Sequence, residues 1–179
     1  LRRFAFMFLP PVKDPTGTEM LYVMENEVVG FGKEPKTTHK SKVVAIDAAH
    51  DLALVRADKA RMPEHHWLRV ADFAPKVGEK VFIVGHPGGL YFTFFDGTVA
   101  AYRETFPFEK DTPLEDFEGP FIQIYSAIYF GNSGGPAISA NGEIVGISSF
   151  ISEVPNQGFV VAPSAIKKFL IKAHLQDKF

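Results

Sequence analysis

The chain has 179 residues, of which 46% are hydrophobic and 22% are charged, a composition typical of a globular protein that buries a core. Its formal net charge of −2 excludes a strongly basic nucleic-acid surface. It contains no cysteine, which excludes disulfides and thiolate catalysis and leaves the compartment undecided. No apolar run reaches the about 20 residues of a membrane-spanning helix.

Short segments rich in β-branched and aromatic residues follow one another along most of the chain and predict β-strands. They cover residues 20–23, 42–46, 52–55, 80–84, 97–102, 121–125, 136–139, 143–147 and 158–161. Many short strands separated by turn residues indicate an all-β sandwich or barrel rather than alternating strands and helices.

Local signals add a turn and a helix to this pattern. Asn141 and Gly142 stand between two strands and predict a type I′ hairpin. Ser164, after Pro163, is predicted to cap a closing helix. Apolar residues recur there at helical spacing: Ile166, Phe169, Leu170 and Ala173.

A turn-rich segment at 73–78 separates two groups of strands and marks a candidate domain boundary. We therefore expect an N-terminal domain at 1–72, a C-terminal domain at 73–162 and the closing helix at 163–177. The acidic segment 103–119 is predicted to be a long exposed loop whose role stays open.

Residues 131–136, with the sequence GNSGGP, have the character of a loop that carries a nucleophile. A serine hydroxyl attacks a carbonyl only when a base takes its proton and backbone donors bind the developing negative charge. Glycines allow the tight turn that aims successive N–H groups at one point. Ser133 is thus the candidate nucleophile, and the N–H groups of Gly131 and Ser133 are the candidate oxyanion hole. The alternative is a glycine-rich hairpin turn.

Asp51 directly precedes an apolar strand and is the candidate carboxylate of a catalytic triad. In a triad the carboxylate orients a histidine, which takes the proton of the serine. The alternative for an aspartate in this position is an ordinary turn residue.

Several motifs together resemble the chymotrypsin-fold serine peptidases, and among them the HtrA/Deg branch. They occur in that family's order at residues 43–47, 51–54, 77–90, 97–99, 122–123, 127–136, 142–147 and 158–164. The resemblance implies two antiparallel β-barrels of the chymotrypsin type with a C-terminal α-helix, with the N-terminal barrel incomplete in this chain. It also implies a serine endopeptidase that cleaves peptide or protein substrates through an acyl-enzyme.

No cofactor is implied, and no pair of histidines has the spacing of metal ligands. Neither the net charge nor the apolar runs indicate a nucleic-acid partner or a membrane span. The resemblance favours a periplasmic or other extracytoplasmic compartment and leaves the oligomeric state open. Ser149 and Phe150, in the edge strand 147–150, are expected to bind an extended substrate by main-chain pairing. Ile128 and Phe150 are expected to shape a pocket for a modest apolar side chain.

The chain departs from the family pattern at three positions close to the expected pocket. Tyr129 and Phe130 stand where the family usually has Asn-Pro, and Ser126 stands where it often has Asp. These differences affect the expected specificity more than the expected fold.

No histidine stands where the family places its catalytic base, well before the aspartate at the end of a strand. His39 lies only 12 residues before Asp51, and His50 adjoins it in a strand where neighbouring side chains face opposite ways. The other histidines also lie in unsuitable positions: His65, His66, His86 and His174. Because residues 1–4 resemble the segment that follows the catalytic His-Val, we expect the base to precede Leu1.

Two alternative functions stay open at this point. The chain could be a catalytically inactive protease fold that binds peptides or partner proteins. It could also be a viral or phage polyprotein peptidase with the same fold. Reaction with a serine-directed phosphonate separates the inactive fold from an enzyme, and cleavage sites in its own precursor identify a polyprotein peptidase.

Overall fold

The computed structural model describes residues 43–55, 68–105 and 117–173 with their side chains, and the backbone of strands at 4–5, 12–13, 19–25, 37–42 and 56–57. The elements in chain order are β1 (Phe4–Ala5), β2 (Val12–Lys13), β3 (Glu19–Glu25), β4 (Thr37–Asp47), β5 (Leu52–Ala57), β6 (Lys80–Gly85), β7 (Thr93–Thr105), β8 (Glu118–Ser126), β9 (Pro136–Ser139), β10 (Ile144–Ile151), β11 (Gln157–Val161) and the helix α1 (Pro163–Lys172). Every predicted strand overlaps one of these strands, which confirms the expected all-β character.

Strands β6 to β11 close into a six-stranded antiparallel barrel with the neighbour order β10-β11-β8-β7-β6-β9. Side chains alternate between its interior and its surface, as the strand repeat requires. In β6, for example, Val81 and Ile83 are completely buried whereas Lys80 is exposed. The predicted closed antiparallel barrel over residues 77–161 is confirmed.

The N-terminal strands form a five-stranded sheet with the order β1-β5-β4-β3-β2. β4 and β5 pair in antiparallel fashion and are joined by a 3-10 turn at Ala48–His50. Asp51 ends that turn in the left-handed conformation, with φ of 53°, which aspartate tolerates better than most residues. The closure of this sheet into a first barrel stays a prediction.

One hydrophobic cluster joins the N-terminal sheet to the barrel and the helix. Leu52 and Leu54 of β5 pack in it with Phe121 of β8 and with Ile166 and Leu170 of α1, and each of the five is at most 2% exposed. Burying one such side chain stabilises a fold by about 1.5–3 kcal/mol. The cluster therefore holds β5, and the aspartate that precedes it, against the barrel.

Helix α1 begins one residue before the predicted cap. Ala162 is the N-cap, without a side-chain cap bond, and Pro163 occupies the first helical position. The prediction that Ser164 caps the helix was wrong. Proline suits the first position because its ring sets a helical φ and its missing N–H would have no partner there. The helix ends at Lys172, and residues 174–177 of the predicted helix lie outside the described residues.

The hairpin between β9 and β10 is present, but its turn type differs from the prediction. A type I′ turn needs positive φ at both central residues. Of the pair Asn141 and Gly142, only Gly142 has it, at 79°. Its N–H donates to the Ser139 carbonyl at 3.0 Å, which gives a three-residue loop closed by a left-handed glycine.

The acidic segment 103–119, predicted to be a loop along its whole length, contains strand residues at both ends. β7 extends to Thr105 and β8 begins at Glu118. Residues 106–116 lie outside the described residues.

Replacing Leu54 tests the cluster that joins the sheet to the barrel. We expect Leu54→Ala to lower the free energy of unfolding by about 2–5 kcal/mol, because the lost contacts leave a cavity in a fully buried site. Ile46→Ala, on the exposed side of β4 (69% exposed), is the matched control and should change it by about 0.5 kcal/mol or less. Urea unfolding followed by fluorescence measures both. Equal changes in the free energy of unfolding for the two variants would show that Leu54 does not join the N-terminal sheet to the barrel.

Candidate active site

Residues 131–135 of the GNSGGP segment lie in the connection between β8 and β9, within a loop folded by its own hydrogen bonds, and Pro136 begins β9. Asn132 N–H donates to the Tyr129 carbonyl at 3.1 Å, and Gly135 N–H donates to the Asn132 carbonyl at 2.9 Å. Gly134 N–H donates to the Ser148 carbonyl in β10 at 2.7 Å. We call residues 127–135 the serine loop.

The serine loop packs against the end of β6 so closely that two of its positions require glycine. A Cβ on Gly131 would lie 2.1 Å from the His86 carbonyl oxygen, and a Cβ on Gly135 would lie 2.1 Å from the Val84 carbonyl oxygen. Gly131 also has a φ of +104°, which side chains other than hydrogen rarely permit. Close backbone contact thus explains Gly131 and Gly135, two of the glycines that the sequence places around Ser133.

The peptide groups around Gly131 orient the N–H groups of the candidate oxyanion hole. The Phe130 carbonyl accepts from Gly88 N–H at 3.1 Å, and the Gly131 carbonyl accepts from His86 N–H at 2.9 Å. Because a trans peptide points its N–H away from its carbonyl, the N–H of Gly131 faces away from Gly88. Among the described residues, no acceptor is bonded to the N–H of Gly131 or Ser133. Donors arranged in this way suit a negatively charged oxygen.

The side chain of Asn132 is buried in the same loop. It is completely inaccessible, and neither its amide nitrogen nor its amide oxygen has a hydrogen-bond partner among the described residues. A buried polar group without a partner costs about 1–3 kcal/mol. Packing must therefore offset the cost of burying the Asn132 amide and stabilise the loop conformation in which the N–H groups of Gly131 and Ser133 have no bonded acceptor among the described residues.

Ser149 of β10 connects the candidate nucleophile with the candidate acid. The Ser133 hydroxyl donates to the Ser149 carbonyl at 3.3 Å. The Ser149 hydroxyl donates to Oδ2 of Asp51. Ser133 and Asp51 are far apart in the sequence, and the structure brings both of them to Ser149. Ser133 contacts its carbonyl and Asp51 contacts its hydroxyl.

Burial raises the pKa of the Asp51 carboxyl above its ordinary value, because the charged form loses solvation. The hydrogen bond from Ser149 acts in the opposite direction and lowers it. A partly buried carboxylate that is restrained by one hydroxyl is available to accept a further hydrogen bond from a positively charged group.

The contact of the Ser149 side chain with Asp51 was not predicted from the sequence, which suggested only main-chain pairing with substrate. The available signal was a pair of serines, Ser148 and Ser149, inside an otherwise apolar strand. Alternation sends these side chains to opposite faces. Ser148 is buried with no hydrogen-bond partner for its hydroxyl among the described residues, whereas Ser149 reaches the acid.

The described histidine side chains have partners other than Ser133. Nδ1 of His50 lies 3.0 Å from Oδ2 of Asp47. Nδ1 of His86 accepts from the Phe92 N–H at 3.1 Å, and burial lowers the pKa of His86 below its ordinary value. The side chains of His39, His65, His66 and His174 lie outside the described residues, as does Leu1, so the expected position of the base stays a prediction.

The two residues expected to shape a specificity pocket lie in different parts of the core. Ile128 is 8% exposed, and its Cδ1 lies 2.6 Å from where a Cβ on Gly158 would be. The ring of Phe150 instead contacts Phe117 and Phe121, with centroid distances of 4.8 and 5.7 Å. The structure therefore does not bring Phe150 and Ile128 into one cluster, and their role in substrate binding stays a prediction.

The family model described as a trypsin-like peptidase domain matches residues 12–147. This chain belongs to the trypsin-like peptidase family. The matched region includes both Asp51 and Ser133.

Relatives of this trypsin-like peptidase domain are HtrA and DegP-type proteases. A Pseudomonas putida protein named "probable periplasmic serine endoprotease DegP-like" is 39% identical over 113 residues, which are 63% of this chain and 22% of that protein. The serine protease HTRA1B of Danio rerio is 30% identical over 139 residues, 77% of this chain and 28% of that protein. The predicted resemblance is confirmed, and the chain spans less than a third of the length of these relatives.

Solved structures share the fold. The Rv3671c protease from M. tuberculosis in its active form gives a TM-score of 0.67 at 24% identity, covering 76% of this chain and 60% of that chain. The serine endoprotease from Yersinia pestis gives a TM-score of 0.60 at 25% identity, covering 79% of this chain and 46% of that chain. A chymotrypsin-type arrangement of the described strands is thereby supported.

Within the described residues, no helix has the length and apolar character to cross a membrane. In the same part of the chain, no group of three or more histidine, aspartate or glutamate side chains is arranged to hold a metal ion.

The raised pKa of Asp51 predicts how the stability of Asp51→Asn varies with pH. A group with a raised folded-state pKa stabilises the fold below its unfolded pKa, here 3.8, and loses that contribution as the pH rises through the folded pKa. Asparagine does not titrate, so we expect the free energy of unfolding of Asp51→Asn, relative to the unsubstituted protein, to increase from pH 3.5 to pH 7. Urea unfolding at a series of pH values measures this.

Asp72→Asn is the control of opposite sign. Its exposed carboxylate is paired with Lys167, which lowers the pKa of Asp72. Its relative free energy of unfolding should fall slightly over the same pH range, since the carboxylate stabilises the fold above pH 3.8. Parallel pH profiles for the two variants would contradict the assignment of Asp51 as a buried carboxylate.

Proposed function

We propose that this chain is the catalytic domain of a serine endopeptidase that hydrolyses peptide bonds through an acyl-enzyme. The observation that carries the proposal is the arrangement around Ser149, whose carbonyl accepts from Ser133 and whose hydroxyl donates to Asp51. A histidine outside the described side chains completes the triad. Its imidazole takes the proton of Ser133 and is oriented by Asp51.

In this mechanism, the oxygen of Ser133 bonds to the carbonyl carbon of the substrate while the imidazole takes its proton. The carbonyl oxygen becomes negative and is bound by the N–H groups of Gly131 and Ser133. The lack of a bonded acceptor for these N–H groups among the described residues supports this role. The imidazole then gives its proton to the leaving amine, and water releases the acyl group by the same steps in reverse order.

The substrate residues before the scissile bond pair with the end of β10 in this proposal. β9 pairs with β10 only as far as Ile147, so β9 does not continue alongside Ser149. An extended peptide that binds there forms main-chain hydrogen bonds. The side chain before the scissile bond meets Ile128, whose position over Gly158 restricts the pocket to modest apolar side chains.

We also propose that the five-stranded sheet belongs to a first barrel, with the domains divided at 1–72 and 73–162 and the closing helix over 163–177. The joint cluster around Leu52 and Leu54 supports a site between the two parts. A periplasmic or other extracytoplasmic compartment is proposed on the basis of the Pseudomonas relative, whose name calls it periplasmic.

Replacement of Ser133 tests the proposed nucleophile. In the intact protein, a fluorophosphonate probe should label the unsubstituted enzyme and fail to label Ser133→Ala, because the probe reacts only with an activated hydroxyl. Casein hydrolysis should be lost in parallel, with the melting temperature nearly unchanged. Ser139→Ala, in β9 of the same barrel, is the matched control and should keep its labelling. An unlabelled unsubstituted protein would support an inactive, peptide-binding fold instead.

Replacement of Asp51 and Ser149 tests the proposed acid. We expect Asp51→Asn to lower kcat by about 10⁴-fold, because an amide stabilises the wrong imidazole tautomer. Ser149→Ala should lower kcat less, since the carboxylate remains and loses only one restraint. Initial rates on a fluorogenic peptide measure both. An Asp51→Asn enzyme with kcat close to that of the unsubstituted protein would place the acid elsewhere.

A further inference from the structure

Large apolar side chains are exposed on two segments beside the candidate oxyanion donors. In the serine loop, Phe130 is 80% exposed and Tyr129 is 57% exposed. Leu90, in the connection between β6 and β7, is 68% exposed. We call Phe130 and Leu90 the leaving-side surface.

The two segments are joined and ordered by hydrogen bonds. Gly88 N–H donates to the Phe130 carbonyl at 3.1 Å, and Leu90 N–H donates to the Pro87 carbonyl at 3.0 Å. The Thr93 hydroxyl donates to the Leu90 carbonyl at 2.9 Å. The exposure of Phe130 and Leu90 is therefore a property of a folded turn whose backbone is held in place.

The two segments that carry the leaving-side surface contain no side chain that is charged at neutral pH. Residues 86–93 and 127–133 contain no Asp, Glu, Lys or Arg. Their one histidine is His86, whose pKa is lowered by burial, so the imidazole stays neutral. An uncharged surface of this kind favours contact with an apolar group over contact with a charged one.

The strand order tells which part of a substrate passes this surface. In the barrel, β10 and β6 lie on opposite sides of β9. Ser133 contacts β10 through Ser149, whereas Gly131 contacts the end of β6 through His86. A peptide that runs along β10 up to its scissile bond therefore continues beyond it toward the end of β6.

We propose that Phe130 and Leu90 bind an apolar side chain from the first two substrate residues after the scissile bond. The proposal rests on the proposed function, because the carbonyl oxygen of the scissile bond must lie at the Gly131 N–H. That N–H belongs to the peptide that Phe130 itself forms, and successive substrate Cα atoms are about 3.8 Å apart. The residues that follow the scissile bond are thus within reach of the exposed ring.

Peptide cleavage by the intact protein tests the proposal. Fluorogenic peptides that share the residues before the scissile bond carry Leu or Ser at the first or second position after it. At one of these two positions, the unsubstituted enzyme should cleave the Leu peptide with a kcat/KM about ten-fold above that of the peptide with Ser at the same position. In Phe130→Ser and Leu90→Ser the Leu-to-Ser ratio should fall toward one. Phe73→Ser, at an equally exposed phenylalanine in the segment between the two domains (85% exposed), should keep the ratio.

The ratio within each variant is independent of its overall activity. Labelling of the unsubstituted protein by a fluorophosphonate, which has no group after the scissile position, reports the proposed function separately. A labelled protein that cleaves Leu and Ser peptides equally overturns only this inference, whereas an unlabelled protein overturns the proposed function. If Phe130→Ser keeps the ratio and changes the sedimentation coefficient, the surface is a contact between copies of the chain and the inference is wrong.

Discussion

The burial of Leu52 and Leu54 against the barrel is the constraint on which the site depends. The two leucines are contributed by the N-terminal sheet, yet they lie in a cluster with Phe121 and with apolar residues of α1. Because Asp51 directly precedes this strand, the same packing that stabilises the fold brings a carboxylate to the face of the barrel where Ser149 donates to it. Desolvation of the carboxylate opposes this placement and raises the pKa of Asp51, so hydrophobic contacts must offset an electrostatic cost.

The serine loop depends on a second close contact, between its backbone and the end of β6. Carbonyl oxygens of Val84 and His86 stand where side chains on Gly135 and Gly131 would have to be, so glycine is required there. The Phe130 carbonyl accepts from Gly88 N–H in this contact, so the N–H of Gly131, in the same trans peptide, points away from Gly88. The amide of Asn132 has no hydrogen-bond partner in the part of the chain that the structure describes, so the loop does not satisfy all its own polar groups. Packing thus maintains a backbone geometry that is suited to an anionic oxygen.

Local patterns in the sequence predicted the elements well and their ends less well. Alternating apolar residues predicted strands such as Lys80–Gly85, because a strand with one buried face must alternate. Ser164 was misassigned as a helix cap because a proline at the first helical position makes a side-chain cap unnecessary. The turn at Asn141 was misassigned because the type of a hairpin turn depends on how the two strands meet, here with the Gly142 N–H donating to Ser139. Both corrections concern single backbone conformations and leave the order of elements unchanged.

The sequence by itself determined the all-β class, the family and the candidate pair of Ser133 and Asp51, since strand periodicity and a glycine-bounded serine are local properties of the chain. Only the tertiary structure decided that Ser149 contacts both of these residues, that Phe150 and Ile128 pack in different clusters, and that Phe130 and Leu90 are exposed. These facts depend on contacts between segments that are far apart in sequence. No local pattern encodes such contacts, because they follow from how the sheet, barrel and loops pack together.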